Sequence, residues 1–315
     1  LFMAQNGGKV AGKKFEVIVK DDAGVPDTTR RLAQELVVND KVAVIAGFGL
    51  TPSALAAAPI ATQSKTPLVV MAAGTSSITE ASPFVTRTSV TLPQVAVGMA
   101  EWSNKNGIKK VMTLVADYGP GIDAEKFYAD RVTLNGGSVL EKVRTPLRSP
   151  DFAPMLQKVR DLKPDALFVF LPSGQGAPFM KQFVERGLDK LGVRLIGSGE
   201  ITDDDQLAEI GDVALGIVTA HHYSAAHPSA VNKKFVADFQ AMHKFRPNFM
   251  AVGGWDGMRL ITTALEATKG AGGEALMAAM KGQIWESPRG PVYIDAQTRE
   301  IMQMEMLRIW DAGRK

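Results

Sequence analysis

One stretch of the chain, residues 41–77, limits the possible folds more than any other. Residues 42–46 are a short, apolar, β-branched run, which suits a strand buried on both faces of a parallel sheet. The two glycines of the next segment, 47–53, allow a tight turn before a helix predicted from Ser53 to Gln63. A second apolar run, 67–73, ends in a loop of small and hydroxyl-bearing residues at 74–77. The pattern predicts strand, loop, helix, strand and loop.

Both loops follow the carboxyl ends of strands that are predicted to be neighbours. Open α/β sheets bind their ligands at that edge. Backbone N–H groups, hydroxyls and the N-terminus of a helix are donors that suit a negative charge. The sequence therefore predicts an anion site formed by the loops at 47–53 and 74–77.

The rest of the chain repeats the alternation of strand and helix. This repetition is typical of α/β folds with parallel sheets, and 315 residues are long for one core, so two lobes are expected. Besides the stretch 41–77, strands are predicted at 15–19, 84–88, 111–115, 139–143, 166–171, 194–196, 216–220, 292–294 and 302–309, and helices at 27–39, 93–106, 124–134, 152–162, 177–186, 228–244 and 250–269.

Composition and motifs argue against several classes of function. The net charge is only +3 with Lys and Arg spread along the chain, which disfavours a nucleic-acid partner. No uncharged run reaches the length of a membrane span, and the absence of cysteine excludes disulfides and zinc-thiolate sites.

Enzyme motifs are also missing. Gly47-Phe48-Gly49-Leu50-Thr51-Pro52 begins like a dinucleotide fingerprint but has Pro52 where the third glycine belongs. Neither a phosphate-binding loop nor a nucleophile elbow occurs. The four histidines lack zinc-protease spacing, and His221 and His222 are expected on opposite faces of a strand, which disfavours a shared metal. The sequence predicts neither an enzyme, nor a cofactor, nor a metal site.

Seven short segments occur in an order and spacing that are informative together, although none is diagnostic alone. They are Lys20-Asp21-Asp22, Ala33-Gln34-Glu35-Leu36, Val44-Ile45-Ala46-Gly47, Lys65-Thr66-Pro67-Leu68, Asp117-Tyr118-Gly119, Gly253-Gly254-Trp255-Asp256 and Ser287-Pro288-Arg289-Gly290. Together they resemble the type I periplasmic substrate-binding proteins of branched-chain amino acid ABC transporters, the leucine/isoleucine/valine-binding proteins.

The resemblance implies two Rossmann-like α/β lobes with parallel sheets, joined by three crossings, with a ligand held in the interlobe cleft by hinged closure. It assigns 1–88 and 225–285 to lobe 1, and 89–224 and 286–315 to lobe 2. It further implies a periplasmic receptor that presents a small carboxylate to the membrane permease of an ABC importer. Family members begin with a signal peptide and a first strand and run somewhat past Lys315, so the sequence is expected to be truncated at both ends.

In lobe 1, the resemblance assigns the ligand contacts to the two loops. Ser53 and Thr75 resemble the hydroxyl ligands of the substrate carboxylate. Backbone N–H groups near Ala73, Gly74 and Thr75 are expected to join them. The alternative is that Ser53 and Thr75 merely cap helices.

In lobe 2, Tyr118 and Glu200 each follow a predicted buried strand. Tyr118 resembles the family tyrosine that lies against the ligand. Glu200 matches the acidic position that pairs with an α-ammonium group, although a solvated loop carboxylate is the alternative.

Trp255, Phe48 and His222 are candidates for the pocket wall, with lobe-core packing as the alternative for Trp255 and a structural role for His222.

Two ligand classes follow from these residues. An aliphatic amino acid follows from Glu200 as the ammonium partner, whereas an aromatic carboxylate such as a benzoate derivative follows from Trp255, Phe48 and the histidines. We favour the amino acid class at this point. A cytosolic ligand-sensing module of the same fold is a third interpretation.

Overall fold

The computed structural model describes residues 1–148 and 150–310. Ser149 and 311–315, which the sequence assigns to the second lobe, lie outside the described residues. The chain forms two compact units and passes from one to the other three times. Unit 1 contains Leu1–Val90 and Ala225–Met304, and unit 2 contains Thr91–Ser224 and Glu305–Lys315.

The first part of unit 1 is built on a small parallel sheet. Its elements are α1 (Phe2–Gln5), β1 (Lys9–Val10), β2 (Lys13–Lys14), α2 (Pro26–Val38), β3 (Ile45–Gly47), α3 (Thr51–Ser64), β4 (Leu68–Val70), a 3-10 helix (Ser76–Ala81) and β5 (Val85–Arg87). Strands β3, β4 and β5 are parallel neighbours, with Ile45 opposite Leu68 and Leu68 opposite Val85. The strand–helix–strand unit predicted at 41–77 is confirmed, with the helix beginning at Thr51 and Pro52 in its first turn.

The strand predicted at 15–19 is wrong. These residues lie outside every strand of the described part of the chain, and the apolar side chains of Val17 and Val19 are 58% and 84% exposed. A β-branched run satisfies its backbone as a strand only where a neighbouring strand pairs with it. The prediction was based on residue types alone, and these do not show whether a neighbouring strand is present.

Unit 2 is built on a larger sheet with helices between its strands. Its elements are α4 (Leu92–Lys105), β6 (Lys110–Ala116), α5 (Gly119–Leu134), β7 (Ser138–Thr145), α6 (Ala153–Leu162), β8 (Ala166–Phe170), α7 (Gly176–Glu185), β9 (Arg194–Ser198), α8 (Leu207–Ile210), β10 (Val218–His221) and, after the return from unit 1, β14 (Met306–Ile309); 3-10 helices cover Leu188–Lys190, Gly199–Thr202 and Gly211–Ala214. The strand order is β14-β10-β9-β8-β6-β7, parallel except for β14. The order reverses direction between β6 and β8, where open α/β sheets form a ligand crevice at the strand ends.

The second part of unit 1 is helical and closes with an antiparallel sheet. It contains α9 (Ala230–His243), α10 (Phe249–Ala267), α11 (Gly273–Met280), β11 (Ile284–Ser287), β12 (Gly290–Ile294) and β13 (Ile301–Met302). Residues 286–304, which the sequence assigned to lobe 2, belong to unit 1. The reason is packing, because Val292, Ile294 and Ile301 are buried in one apolar cluster with Leu260 of α10 and Leu276 of α11.

A buried ion pair joins these elements within unit 1. The Asp256 carboxylate of α10 accepts hydrogen bonds from the Trp285 indole at 2.7 Å and the Ser287 hydroxyl at 2.8 Å, and it pairs with the Arg289 guanidinium. Arg289 also donates to the Thr88 carbonyl at 2.6 Å. Because both members of the pair are buried, the charges are satisfied by hydrogen bonds and not by water.

In each unit, a helical glycine lets a helix backbone approach the end of a strand that leads into a candidate loop. A Cβ added at Gly253 of α10 would lie 2.0 Å from the Met71 carbonyl oxygen, directly after β4. A Cβ at Gly121 of α5 would lie 1.8 Å from the Ala116 carbonyl oxygen, at the end of β6. Glycine is therefore required where these loops are held in place.

The predicted fold class is confirmed, since each unit combines parallel strands with connecting helices. In the described ranges, we find no helix that combines the length and the apolar character needed to cross a bilayer.

Candidate functional site

One group of candidate site residues lies in unit 1 at the N-terminus of α3. The hydroxyls of Thr51 and Thr75 are 2.9 Å apart, and both side chains are buried. The N–H groups of Ser53 and Thr75 donate to no backbone acceptor within the described residues. One hydroxyl of the pair donates to the other, so one hydroxyl hydrogen, two N–H groups and a helix N-terminus form a neutral group of donors that favours an anion. Thr51 was missed by the sequence analysis because the helix was predicted to begin two residues later.

The Ser53 side chain turns away from this pair. Its hydroxyl lies 2.9 Å from the Thr29 hydroxyl, which donates to the Asp22 carboxylate. Burial raises the pKa of Asp22, but hydrogen bonds from Thr29, the Gly24 N–H and Ser53 hold it below its usual value. The Ser53 N–H therefore remains at the N-terminus of α3, while the Ser53 hydroxyl belongs to the hydrogen-bond network around Asp22.

The second loop is fixed mainly through its backbone. The Ala73 N–H donates to the Phe48 carbonyl at 3.0 Å, so it is not an available donor for a ligand, contrary to the prediction. Gly74 is buried beside Thr75. Phe48 adopts a φ of +68° and packs its half-buried ring on the apolar cluster around α3.

A buried arginine that the sequence analysis did not single out orients this loop. Arg87 donates to the Ala73 carbonyl at 3.3 Å and the Ser76 carbonyl at 3.4 Å, and its Nε lies 2.7 Å from Glu300. Its charge is thus paired within unit 1. The only signal in the sequence was a single arginine inside an otherwise uncharged strand.

Trp255 lies in an aromatic cluster of unit 1. Its ring contacts Phe2 edge-on at 5.2 Å and Phe235 at 6.3 Å between centroids, and its indole N–H donates to Gln5 at 3.0 Å. This is the packing role that the sequence analysis gave as the alternative to a pocket wall. The structure does not bring Trp255 together with Thr51 and Thr75 in any described contact.

A separate group of candidate residues lies in unit 2, at the carboxyl ends of β6, β9 and β10. Tyr118 follows β6, and its half-buried ring stacks on Phe170 of β8 at 6.0 Å. Burial raises the pKa of the Tyr118 hydroxyl well above its usual value, and the negative charge of Glu200 adds to this effect. Tyr118 therefore remains a hydrogen-bond donor at every physiological pH.

Glu200 is a buried carboxylate and not a solvated one. Its side chain is only 7% exposed, and its Oε1 lies 3.6 Å from Nε2 of His221. Burial raises the pKa of Glu200, but the neighbouring His221 and Ser198 side chains bring it below its usual value. Glu200 is thus an anion at neutral pH.

His222 is fully buried, and its ring stacks on that of His221 with centroids 4.5 Å apart. The expectation that the two rings point to opposite faces is wrong, because β10 ends at His221 and the alternation of a strand no longer applies to His222. Within the described ranges, no group of three His, Asp or Glu side chains is arranged to hold a metal ion.

Two further carboxylates border this cluster. Asp203 accepts a hydrogen bond from the Ser173 hydroxyl, and burial together with the Glu200 charge raises its pKa well above the usual value. Asp204 pairs with Arg308 at 3.0 Å. Both Asp203 and Asp204 are buried.

Comparison with known proteins identifies relatives along the whole chain. A Leu/Ile/Val-binding protein homolog 6 from Brucella abortus is 42% identical over 312 residues, which are 98% of this chain and 80% of the relative. The solved structure of a solute-binding protein of an ABC transporter from Rhodopseudomonas palustris BisB5, in complex with 3,4-dihydroxybenzoic acid, is 59% identical with a TM-score of 0.97, covering 98% of this chain and 86% of that chain.

A second solved structure, an R. palustris ABC transporter solute-binding protein in complex with 4-hydroxybenzoate, is 42% identical with a TM-score of 0.96 over the same 98% and 86% of the two chains. The Periplasmic binding protein family matches residues 2–314. The chain therefore belongs to the periplasmic binding protein family of solute receptors.

Proposed function

We propose that this chain is the solute receptor of an ABC importer and that its ligand is an aromatic carboxylate. The observation that carries the proposal is the 59% identity, over 98% of the chain, to a receptor solved with 3,4-dihydroxybenzoic acid. The amino acid class, which the sequence alone favoured, becomes the second candidate.

The carboxylate of the ligand is bound by unit 1. The Thr51 and Thr75 hydroxyls, 2.9 Å apart, and the N–H groups of Ser53 and Thr75 supply the donors. Hydrogen bonds to a charged group contribute about 1.5–3 kcal/mol each, and a helix N-terminus adds about 0.3–1 kcal/mol.

The aromatic ring of the ligand is recognised by unit 2. Tyr118, supported by Phe170 at 6.0 Å, offers a ring face of fixed orientation. Aromatic rings gain from stacked and edge-on contacts in addition to the area that they bury. Glu200 repels a carboxylate, so the acid group of the ligand is directed to the neutral donors of unit 1.

A panel of ligands tests the proposal. Isothermal titration of the full-length protein with benzoate, 4-hydroxybenzoate, phenylalanine, leucine and valine is expected to give binding of the aromatic acids and none of the aliphatic amino acids. Binding of leucine or valine without binding of any benzoate would overturn it.

The second candidate, a branched-chain amino acid, is favoured by one observation. The 42% identical relative is a Leu/Ile/Val-binding protein homolog, and Glu200 is a buried anion of the kind that pairs with an ammonium group. The same panel separates the two ligand classes.

The remaining parts of the proposal concern the cellular role. Family membership supports a receptor that delivers its ligand to a membrane permease from the periplasm and catalyses no reaction. A transport assay in cells that carry the cognate permease, with and without the receptor gene, tests this role, and uptake that is independent of the receptor would contradict it. A cytosolic sensor of the same fold would instead alter gene expression and leave uptake unchanged.

A further inference from the structure

We propose that Glu200, His221 and Tyr118 of unit 2 form a subsite for a hydroxyl group on the aromatic ring, so that the receptor selects hydroxylated over unsubstituted aromatic acids. The inference deepens the proposed function and rests on it. It concerns the ring hydroxyl of the ligand and the groups of unit 2 alone.

The first observation is a buried acceptor without a partner. Glu200 is 5% exposed, and its Oε2 has no hydrogen-bond partner in the described part of the chain. Its other oxygen, Oε1, faces His221 at 3.6 Å. Buried carboxylate oxygens are normally hydrogen-bonded, so a free one at the end of a strand indicates that a ligand brings the donor.

The second observation is the set of neighbouring groups. The Tyr118 hydroxyl keeps its proton and is near enough to Glu200 for that charge to raise its pKa, and Nε2 of the His221 imidazole lies 3.6 Å from Oε1 of Glu200. A phenolic hydroxyl carries one donor and accepts in return, which matches one free carboxylate oxygen with adjacent donors. A carboxylate brings no donor, and an ammonium group brings three donors and no acceptor, so it leaves the Tyr118 donor unmatched.

The third observation is that the subsite is rigid. A Cβ added at Gly199 would lie 2.3 Å from the His221 ring, so the imidazole packs directly on the backbone next to Glu200. The His222 ring stacks on the His221 ring with centroids 4.5 Å apart, and the Tyr118 ring stacks on that of Phe170. Groups that are held in this way discriminate strongly, because they cannot move to satisfy a ligand that lacks the hydroxyl.

The first test uses the unchanged full-length protein and a ligand series. Isothermal titration with benzoate, 4-hydroxybenzoate and 4-methoxybenzoate compares no hydroxyl, a donor, and an acceptor of similar shape. We expect 4-hydroxybenzoate to bind at least about tenfold more tightly than either of the others, since one hydrogen bond to a charged group is at stake. Equal binding of benzoate and 4-hydroxybenzoate would overturn the subsite and leave the proposed function intact. Failure of all three to bind would overturn the proposed function itself.

The second test uses a matched pair of variants. Glu200→Met removes the acceptor and is expected to bring the ratio of the two dissociation constants, benzoate over 4-hydroxybenzoate, close to one. Glu125→Met is the control. Glu125 lies on α5 of unit 2 and is also 5% exposed, but its carboxylate pairs with Arg144 of β7. The control is expected to keep the wild-type ratio. A Glu200→Met protein that keeps the ratio, or a Glu125→Met protein that loses it, would contradict the assignment.

Discussion

The groups that follow the strand ends differ in charge between the two units. Around the N-terminus of α3 in unit 1, the available groups are neutral, namely the hydroxyls of Thr51 and Thr75 and nearby N–H groups. In unit 2, the corresponding strand ends carry the buried anion Glu200, its neighbour His221 and the Tyr118 ring. Unit 1 offers donors that suit any carboxylate, whereas unit 2 offers a charged and aromatic surface that is sensitive to the rest of the ligand.

The comparison assigns affinity and selectivity to different parts of the chain. Removing a donor from unit 1 should weaken every carboxylate ligand alike, whereas changing unit 2 should alter the ranking of ligands. In both units, however, a helical glycine packs against the end of a strand and fixes the loop that follows. Substitution of these glycines is expected to have the largest effects.

Gly253→Ala and Gly121→Ala should each destabilise the protein by about 2–3 kcal/mol, because the added methyl overlaps a backbone carbonyl that cannot move without the strand. The methyl would lie 2.0 Å from the Met71 oxygen in the first variant and 1.8 Å from the Ala116 oxygen in the second. Urea unfolding followed by circular dichroism measures the loss.

The matched controls lie on helices of the same units. A Cβ at Gly254, next to Gly253 on α10, or at Gly98 on α4 meets no atom within 4 Å. Gly254→Ala and Gly98→Ala should raise stability by about 0.5–1 kcal/mol, since alanine is the better helix former. Equal stability of Gly253→Ala and Gly254→Ala would show that the close approach is not rigid.

Thr75→Ala and Thr51→Ala should each weaken 4-hydroxybenzoate binding by at least about tenfold, because each removes one member of the hydroxyl pair that binds the ligand carboxylate. Benzoate should weaken by the same factor, since it carries the same carboxylate. Titration calorimetry with both ligands makes the measurement. Thr62→Ala is the control, because this hydroxyl lies further along α3 and donates to the Ala58 carbonyl at 3.1 Å. Unchanged affinity in Thr75→Ala would remove the carboxylate site from unit 1.

The fold could be predicted from the sequence where local pattern and tertiary structure agree. The β-branched run before Gly47 and the alanine-rich segment after Pro52 each have one favourable local structure, and both predictions are confirmed. The segment 15–19 has the same composition as a strand, but pairing depends on a neighbour that residue types do not reveal. Residues 286–304 likewise join unit 1 because of packing against α10 and α11.

The site could be predicted less well, because its chemistry depends on side-chain direction. The sequence indicated the loops correctly but could not show that the Ser53 hydroxyl turns to Thr29 or that the Ala73 N–H is used by Phe48. It also could not show that His221 lies beside Glu200, since the two residues are brought together only by the pairing of β9 and β10.

Asp203→Asn should make the stability of the protein less dependent on pH. The buried Asp203 has a pKa well above that of the unfolded chain, so between those two pKa values the native state binds more protons than the unfolded state. Stability therefore falls as the pH rises through this window, and the asparagine removes the fall. Urea unfolding of wild type and variant at about pH 5 and about pH 8 tests this, with the variant gaining more at the higher pH.

The control for this comparison is Asp212→Asn, an exposed carboxylate of the same unit. It should leave the pH dependence of wild type unchanged. An Asp203→Asn variant with the same pH dependence as wild type would mean that Asp203 is ionised in the folded protein, and unit 2 would then bury one more charge than the comparison of the two units assumes.

Ser53→Ala should have the smallest effect, with 4-hydroxybenzoate binding weakened by less than about threefold. The Ser53 hydroxyl is engaged with Thr29 at 2.9 Å and stabilises the Asp22 carboxylate, while its N–H, which the variant keeps, remains at the start of α3. Loss of the hydroxyl should instead raise the pKa of Asp22, which carboxyl NMR titration measures. A loss of affinity as large as that of Thr75→Ala would mean that Ser53 leaves Asp22 for the ligand, and a charged residue would then take part in the half of the site that is otherwise neutral.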